Sequence, residues 1–482
     1  MADIDRLQID NSEFGRRRIP LKLAVAAIFV ISALGLGSYI ARGDYTIPLL
    51  IALGVFALGL LSREPIIGFY LSLVILVIVP FSALRVPFPL LHSPLSIMVV
   101  PTLALAIMHQ VITRKPLTPS NLYGPMFVWV SLLVMFAMIK HGPAASTRLA
   151  WSIGGIWPFF LVLLLVDTPR KARNVLLAFI IPLLIVALAW LPALLSTGGL
   201  SRVTSVNYSA GTVRSLLSAN ALRGGAAILL TYVGGANWQA FSIMAMAWCV
   251  LFSIAVFGKK RIRWLAGFAA VLLLFPILLS TYGNALLIVA LGAAFVLLFG
   301  IRRLTIKRIG LVLVLLGLLG GLLFFTASGQ HAWQRVVSGK DPSIEGRKIA
   351  WKEGTEAFLS NPIIGWGAYT EEHQTQAGNW LLGHSGFLVS AYEYGLVYIA
   401  AIGLLFFVIA VDLFRLGKKS LSVTDRAIVI GIQALFATYI VQFFLSGSLG
   451  LVSIDIVFWL FMGLACVWLH WLQSGEEVRL VE

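Results

Sequence analysis

The stretch NVLLAFIIPLLIVALAWLPALL, residues 174–195, decides the fold. No charged side chain interrupts it, and its apolar residues run continuously instead of recurring on one helical face. A run of about 18 or more such residues is what a helix needs to cross a bilayer. The stretch IGLVLVLLGLLGGLLFFTA, residues 309–327, has the same character. In hydrocarbon every backbone N–H and C=O must be satisfied within its own segment, so both stretches are expected to be helices.

The rest of the chain agrees. Its 482 residues are 59% hydrophobic and only 12% charged, with a mean hydropathy of +0.94. Soluble domains carry roughly 25% charged residues, so this chain cannot clothe a water-facing surface of its size. The expected fold is all-α: a polytopic membrane protein with about fourteen transmembrane helices and a large external loop containing short helices. Runs of spanning length lie near 21–41, 45–62, 66–84, 94–113, 122–139, 149–167 and 174–195. Further runs lie near 238–258, 264–282, 284–300, 309–327, 395–414, 427–446 and 451–472. The run 21–41 follows Arg16-Arg17-Arg18, is longer than a signal-peptide core and lacks a small-residue cleavage site, so it reads as the first span. Cys249 and Cys466 fall inside apolar runs and read as buried thiols.

Charge orients the spans. Arg16–Arg18, Arg63, Arg114-Lys115, Arg170-Lys171, Lys259–Arg261, Arg302-Arg303 and Lys418-Lys419 share one side. Lys and Arg favour the cytoplasmic side, which puts both termini in the cytoplasm. The net charge of +16 is therefore a topology signal spread over short loops, and nucleic acid is not an expected partner. The resulting order is a cytoplasmic segment 1–20, a first bundle of about seven spans over 21–195, and an external arginine-containing segment 196–237. Spans eight to eleven follow over 238–327, then a large external loop 328–394, spans twelve to fourteen over 395–472, and a cytoplasmic tail 473–482. The external segments hold Arg202, Arg214, Arg223 and Arg347, on the face that the charge bias should deplete. An anionic ligand at that face accounts for them.

Residues 346–367, GRKIAWKEGTEAFLSNPIIGWG, read as a short amphipathic helix stopped by Asn361-Pro362, with Gly365-Trp366-Gly367 as a flexible turn. Residues 383–399, GHSGFLVSAYEYGLVYI, place His384 at a helix start, with Glu393 and Gly395 two to three turns on. An arginine-led helix, Asn-Pro-x-x-Gly-x-Gly, His-x-x-x-Leu and Glu-x-Gly before a span together resemble the O-antigen ligase and O-antigen polymerase superfamily. The close resemblance covers about 346–399, and the many-span layout agrees over most of the length.

The resemblance implies a glycosyltransferase of the bacterial inner membrane. Its donor is a glycan on undecaprenyl diphosphate at the outer face, and its acceptor is lipid A–core or another lipid-linked glycan. It further implies that His384 is the catalytic base and that Arg347 binds the donor diphosphate. Arg214, Arg223 and Arg202 are candidates for a second arginine contact, with Glu393 and Trp351 in supporting roles. Two positions depart from the family pattern. Ser385 stands where many members have Asn after the histidine, and Ser280-Thr281-Tyr282-Gly283-Asn284 replaces a Ser-Arg-Gly cluster. The residues support the same chemistry independently. Guanidinium grips phosphate oxygens bidentately, and an imidazole titrating near neutrality suits deprotonation of a hydroxyl. No cofactor or metal is expected, because Asp341, Glu345, Glu371 and Glu372 lack metal-ligand spacing.

Each candidate also has a plainer reading. His384 caps a helix, Arg347 pairs with Glu345 or Glu353, and Arg202, Arg214 and Arg223 anchor at the interface by snorkelling. Glu393 orients its helix, and Trp351, Trp366 and Trp380 are interfacial anchors. The competing class is a transporter or flippase for lipid-linked glycans or polysaccharide. That class places ionisable residues inside its spans, whereas these spans read as nearly free of charge.

Overall fold

The computed structural model describes residues 63–78, 94–114, 117–141, 155–196, 237–280, 283–300, 342–366, 385–419, 421–445 and 452–474, together with 317 and 321. All regular structure among the described residues is helical. In chain order the helices are α1 (Pro65–Ile78), α2 (Pro94–Thr113), α3 (Tyr123–His141), α4 (Trp157–Leu165), α5 (Pro169–Ser196) and α6 (Asn237–Phe257). They continue with α7 (Lys260–Ser280), α8 (Gly283–Gly300), α9 (Pro342–Ser360), α10 (Gly386–Lys418), α11 (Val423–Leu445) and α12 (Val452–Gln473). All of them belong to one compact unit, Pro65–Glu482. Among the described residues five helical stretches are long and apolar enough to cross a membrane: 169–188 of α5, 260–278 of α7, α10, α11 and 454–473 of α12. The runs at 21–41 and 45–62 lie outside the described residues, as does 309–327 apart from two positions.

Hydropathy locates the helices and local chemistry sets their ends. The run expected at 94–113 is α2, residue for residue. By contrast α5 begins at Pro169, five residues before its apolar run, and so absorbs Arg170, Lys171 and Arg173. Thr168 explains this start. Its Oγ1 accepts from the Lys171 N–H at 3.4 Å, its carbonyl accepts from Ala172 at 3.1 Å, and Pro169 at the first helical position forgoes an N–H that no turn would satisfy.

The interior is built of aromatic side chains set beside small residues. Trp459 of α12 stacks on Trp129 of α3 at 6.0 Å and meets Phe159 of α4 edge-on at 5.8 Å. Phe458 stacks on Tyr439 of α11 at 3.8 Å. Gly431 lets α11 approach α6, since a Cβ there would lie 2.6 Å from Val250 Cα. Such close approach through small residues is how helices associate without a hydrophobic driving force between them. The outward faces are apolar too. Phe127 is 75% exposed, Trp264 74%, Phe268 71% and Phe299 69%, a surface that water would not tolerate and lipid does.

The expectation of spans nearly free of charge is qualified by two of them, since Asp412 within 395–414 and Asp455 within 451–472 are buried acids, and Glu393 and Asp425 lie buried just before the spans at 395 and 427. Asp455 Oδ1 accepts from Tyr439 Oη at 2.6 Å. Asp412 Oδ1 accepts from Asn121 Nδ2 at 2.9 Å and lies 3.6 Å from Arg415. Asp425 Oδ2 accepts from Ser422 Oγ at 2.6 Å. Asp412 thus ties α10 to the segment before α3 and Asp455 ties α12 to α11, while Asp425 is held at the start of its own helix.

Candidate functional site

The two motif segments meet at a break in α10. Gly395 has φ 73° and ψ −171°, a backbone region essentially restricted to glycine. The break separates a short helix, 386–394, from the span that follows. An unbroken helix would set Phe387 and Phe406 about 28 Å apart along its axis. Both rings instead pack on Phe443 of α11, at 6.2 and 5.7 Å, so the short helix folds back over the end of α11. Ser385 caps it, accepting from the Leu388 N–H at 3.3 Å, and Gly386 lies flush against Phe443.

A helix broken in mid-course leaves backbone groups without their i→i−4 partners. Here the turn after α9 supplies replacements. The Leu396 N–H, which would have donated to the Tyr392 carbonyl, donates to that of Pro362 at 2.8 Å. The Tyr392 carbonyl in turn accepts from the Trp366 N–H at 2.8 Å, and the Val397 N–H reaches the Ile363 carbonyl at 3.5 Å. The turn itself is fastened by Asn361, whose Nδ2 donates to the Gly365 carbonyl at 2.7 Å. Trp366 Nε1 also donates back to the Ala357 carbonyl of α9, at 2.8 Å.

No side chain fits between the two backbones. A Cβ on Gly365 (φ 62°) would lie 2.6 Å from the backbone of Glu393 and Tyr394, and one on Gly395 would lie 2.7 Å from the Gly365 nitrogen. The described part of the Gly365-Trp366-Gly367 turn is therefore docked, which corrects its reading as a flexible turn. The Asn-Pro-x-x-Gly and Glu-x-Gly patterns are the two halves of one joint.

The joint carries the candidate residues on its arms. Arg347 lies in the second turn of α9, and there only its backbone is described. Trp351, one turn on, is 38% exposed. Glu393 is 2% exposed and sits two residues before the break. His384 directly precedes Ser385 but lies outside the described residues, as do Arg202, Arg214 and Arg223. Two residues to which the sequence assigns no site role belong to this region. Asn361 fastens the turn, and Glu353 on α9 has a buried Oε2 with no hydrogen-bond partner among the described residues. A capping asparagine before proline is a signal that could have drawn attention to the first. Nothing in the local sequence distinguishes Glu353 from Glu356.

Residues 268–405 match the O-antigen ligase family. The matched stretch runs from within α7 into α10, so it contains both halves of the joint together with Arg347, His384 and Glu393. The resemblance carried by 346–399 is thereby shown for this part of the chain. The O-antigen ligase match does not extend to 196–237, where Arg202, Arg214 and Arg223 lie. A comparison with curated proteins finds no match.

Proposed function

We propose that this chain is a membrane glycosyltransferase that transfers or polymerises a glycan from undecaprenyl diphosphate at the outer face of the bacterial inner membrane. The observation that carries this reading is the joint between the turn after α9 and the break in α10. It ties the helix bearing Arg347 to the helix that begins just after His384, within the stretch that matches the O-antigen ligase family. About fourteen spans, both termini in the cytoplasm and external segments at 196–237 and 328–394 complete the proposed topology.

In the proposed reaction His384 takes the proton of an acceptor hydroxyl as that oxygen attacks the anomeric carbon. The bond from that carbon to the diphosphate oxygen breaks with inversion, and the electron pair leaves on the diphosphate. Arg347, with Arg214, Arg223 or Arg202, stabilises the departing charge. One preorganised donor of this kind is worth roughly 10²–10³ in rate, and a positioned base roughly 10²–10⁴. The reaction needs no metal, and its acceptor is lipid A–core or a second lipid-linked glycan. The transporter reading gains nothing from the buried acids of the spans, since Asp412, Asp425 and Asp455 are held by neighbouring side chains.

The test is incubation of membranes containing the protein with a lipid-linked repeat unit, with and without lipid A–core, followed by product sizing. Lengthened glycan on undecaprenyl diphosphate identifies a polymerase, and glycan on lipid A–core a ligase. His384→Ala should abolish either product while the protein stays inserted. Transfer at the wild-type rate in that variant removes the catalytic assignment, and no product from the wild type under either condition removes the function.

A further inference from the structure

A second feature lies away from the joint. One stripe of α2, running from Leu103 through Ile107 and Val111 to Arg114, forms with Phe160 and Leu164 of α4 the wall of a groove of about 680 Å³. None of the residues lining it comes from α9 or α10. Positions three and four apart lie on one helical face, so the stripe is straight, and from Leu103 to Arg114 it extends about 16 Å. That is close to half of the roughly 30 Å hydrocarbon thickness of a bilayer. Its sides open outward, with Val111 71% exposed, Ile107 49% and Phe160 40%.

The polar end is equally defined. Beneath it, Thr118 Oγ1 donates to the Leu163 carbonyl at 3.1 Å and Tyr123 Oη to the Thr118 carbonyl at 2.8 Å. Arg114 closes α2 at φ 52°, lines the groove and makes no ion pair among the described residues. An apolar trough one leaflet deep with a guanidinium at its end matches an amphiphile with one acyl chain of leaflet length and an anionic head. We propose that this groove binds an anionic phospholipid, its phosphate on Arg114 and one acyl chain along Leu103, Ile107 and Phe160. Guanidinium binds phosphate oxygens through paired, charge-assisted hydrogen bonds, and on the proposed topology the lipid belongs to the cytoplasmic leaflet.

The experiment is lipid binding to the purified full chain in detergent, read by native mass spectrometry during titration with phosphatidylglycerol, phosphatidylcholine of the same chains, or undecaprenyl phosphate. Phosphatidylglycerol should bind about tenfold more tightly than phosphatidylcholine, the factor that one charge-assisted contact supplies. Arg114→Gln should erase that preference, Arg114→Lys should keep part of it, and Ile107→Trp, which fills the trough, should weaken both phospholipids. Equal binding of the two phospholipids by the wild type overturns the proposal. So does a preference that survives Arg114→Gln, undisturbed binding in Ile107→Trp, or tighter binding of undecaprenyl phosphate than of phosphatidylglycerol.

Discussion

The joint between the turn after α9 and α10 and the aromatic interior around α12 hold helices together by opposite means. In the interior, side chains do the packing. Trp129, Trp459, Phe159, Phe458 and Tyr439 interdigitate at centroid distances of 3.8 to 6.0 Å. At the joint side chains are shut out, and one backbone completes the hydrogen bonding of another. The two should therefore fail differently. An interior of interlocking rings loses stability in proportion to the volume removed. A joint made of backbone fails when volume is added, and what it loses first is the relative placement of its two arms.

The sharpest way to break the comparison is a single methyl group. Gly395→Ala places a Cβ against the Ile363 carbonyl and the Gly365 nitrogen, at a φ of 73° that L-residues rarely adopt. On the proposed mechanism, parting the arms by about 1 Å would misplace Arg347 relative to His384, and misplacement on that scale costs about 10² in rate. Glycan transfer per inserted molecule should fall by about that factor, while the protein remains in the membrane. A variant with wild-type transfer would show that the joint positions nothing.

In the interior the matching experiment is removal. Trp459 is 1% exposed and stacks on Trp129, so Trp459→Ala should cost about 3–5 kcal/mol of stability. The loss should appear as a lower melting temperature in detergent, with transfer per folded molecule little changed. If transfer falls as far as in Gly395→Ala at equal folded fraction, the division of labour between the two regions is wrong. Tyr439→Phe is the finer cut. It keeps the ring on Phe458 and removes the hydroxyl that donates to Asp455. Leaving a buried carboxylate without that donor costs about 1–3 kcal/mol, again read as melting temperature, and a stability equal to wild type would show that Asp455 finds another partner.

These two regions also mark how far the sequence could be read. Unbroken hydropathy makes α2 legible to the residue, because a bilayer demands a long apolar run whatever packs on it. The aromatic interior is legible as composition but not as arrangement, since nothing local pairs Trp129 with Trp459. At the candidate site the sequence supplies the residue types and their order. Positive-inside charge and the resemblance give His384, Arg347 and Glu393 their expected roles. The docking of Asn361–Trp366 onto Tyr392–Val397 is not readable, because Gly-Trp-Gly beyond a helix stop looks the same whether it is free or fastened. The break at Gly395 is hidden for a related reason. Residues 386–418 form one apolar, helix-forming stretch, and only a partner for the exposed backbone groups makes a break tolerable.

The smallest predicted effect tests that last point. Asn361 donates its side-chain amide to the Gly365 carbonyl at 2.7 Å, while the Gly365 N–H returns to the Asn361 carbonyl at 3.1 Å. The pair closes the turn before it docks. Asn361→Ala removes only the first of these bonds, for about 0.5–1.5 kcal/mol, and leaves the backbone bonds across the joint intact. The turn should then loosen without parting. A cysteine introduced at Ile364, an exposed position of the turn, should react with a water-soluble maleimide a fewfold faster in the Asn361→Ala background, with transfer reduced a fewfold. Unchanged labelling with unchanged transfer would mean that the backbone bonds alone hold the turn. A collapse of transfer to the Gly395→Ala level would mean that the fastening of the turn, and not the fit of two backbones, is what places the arms.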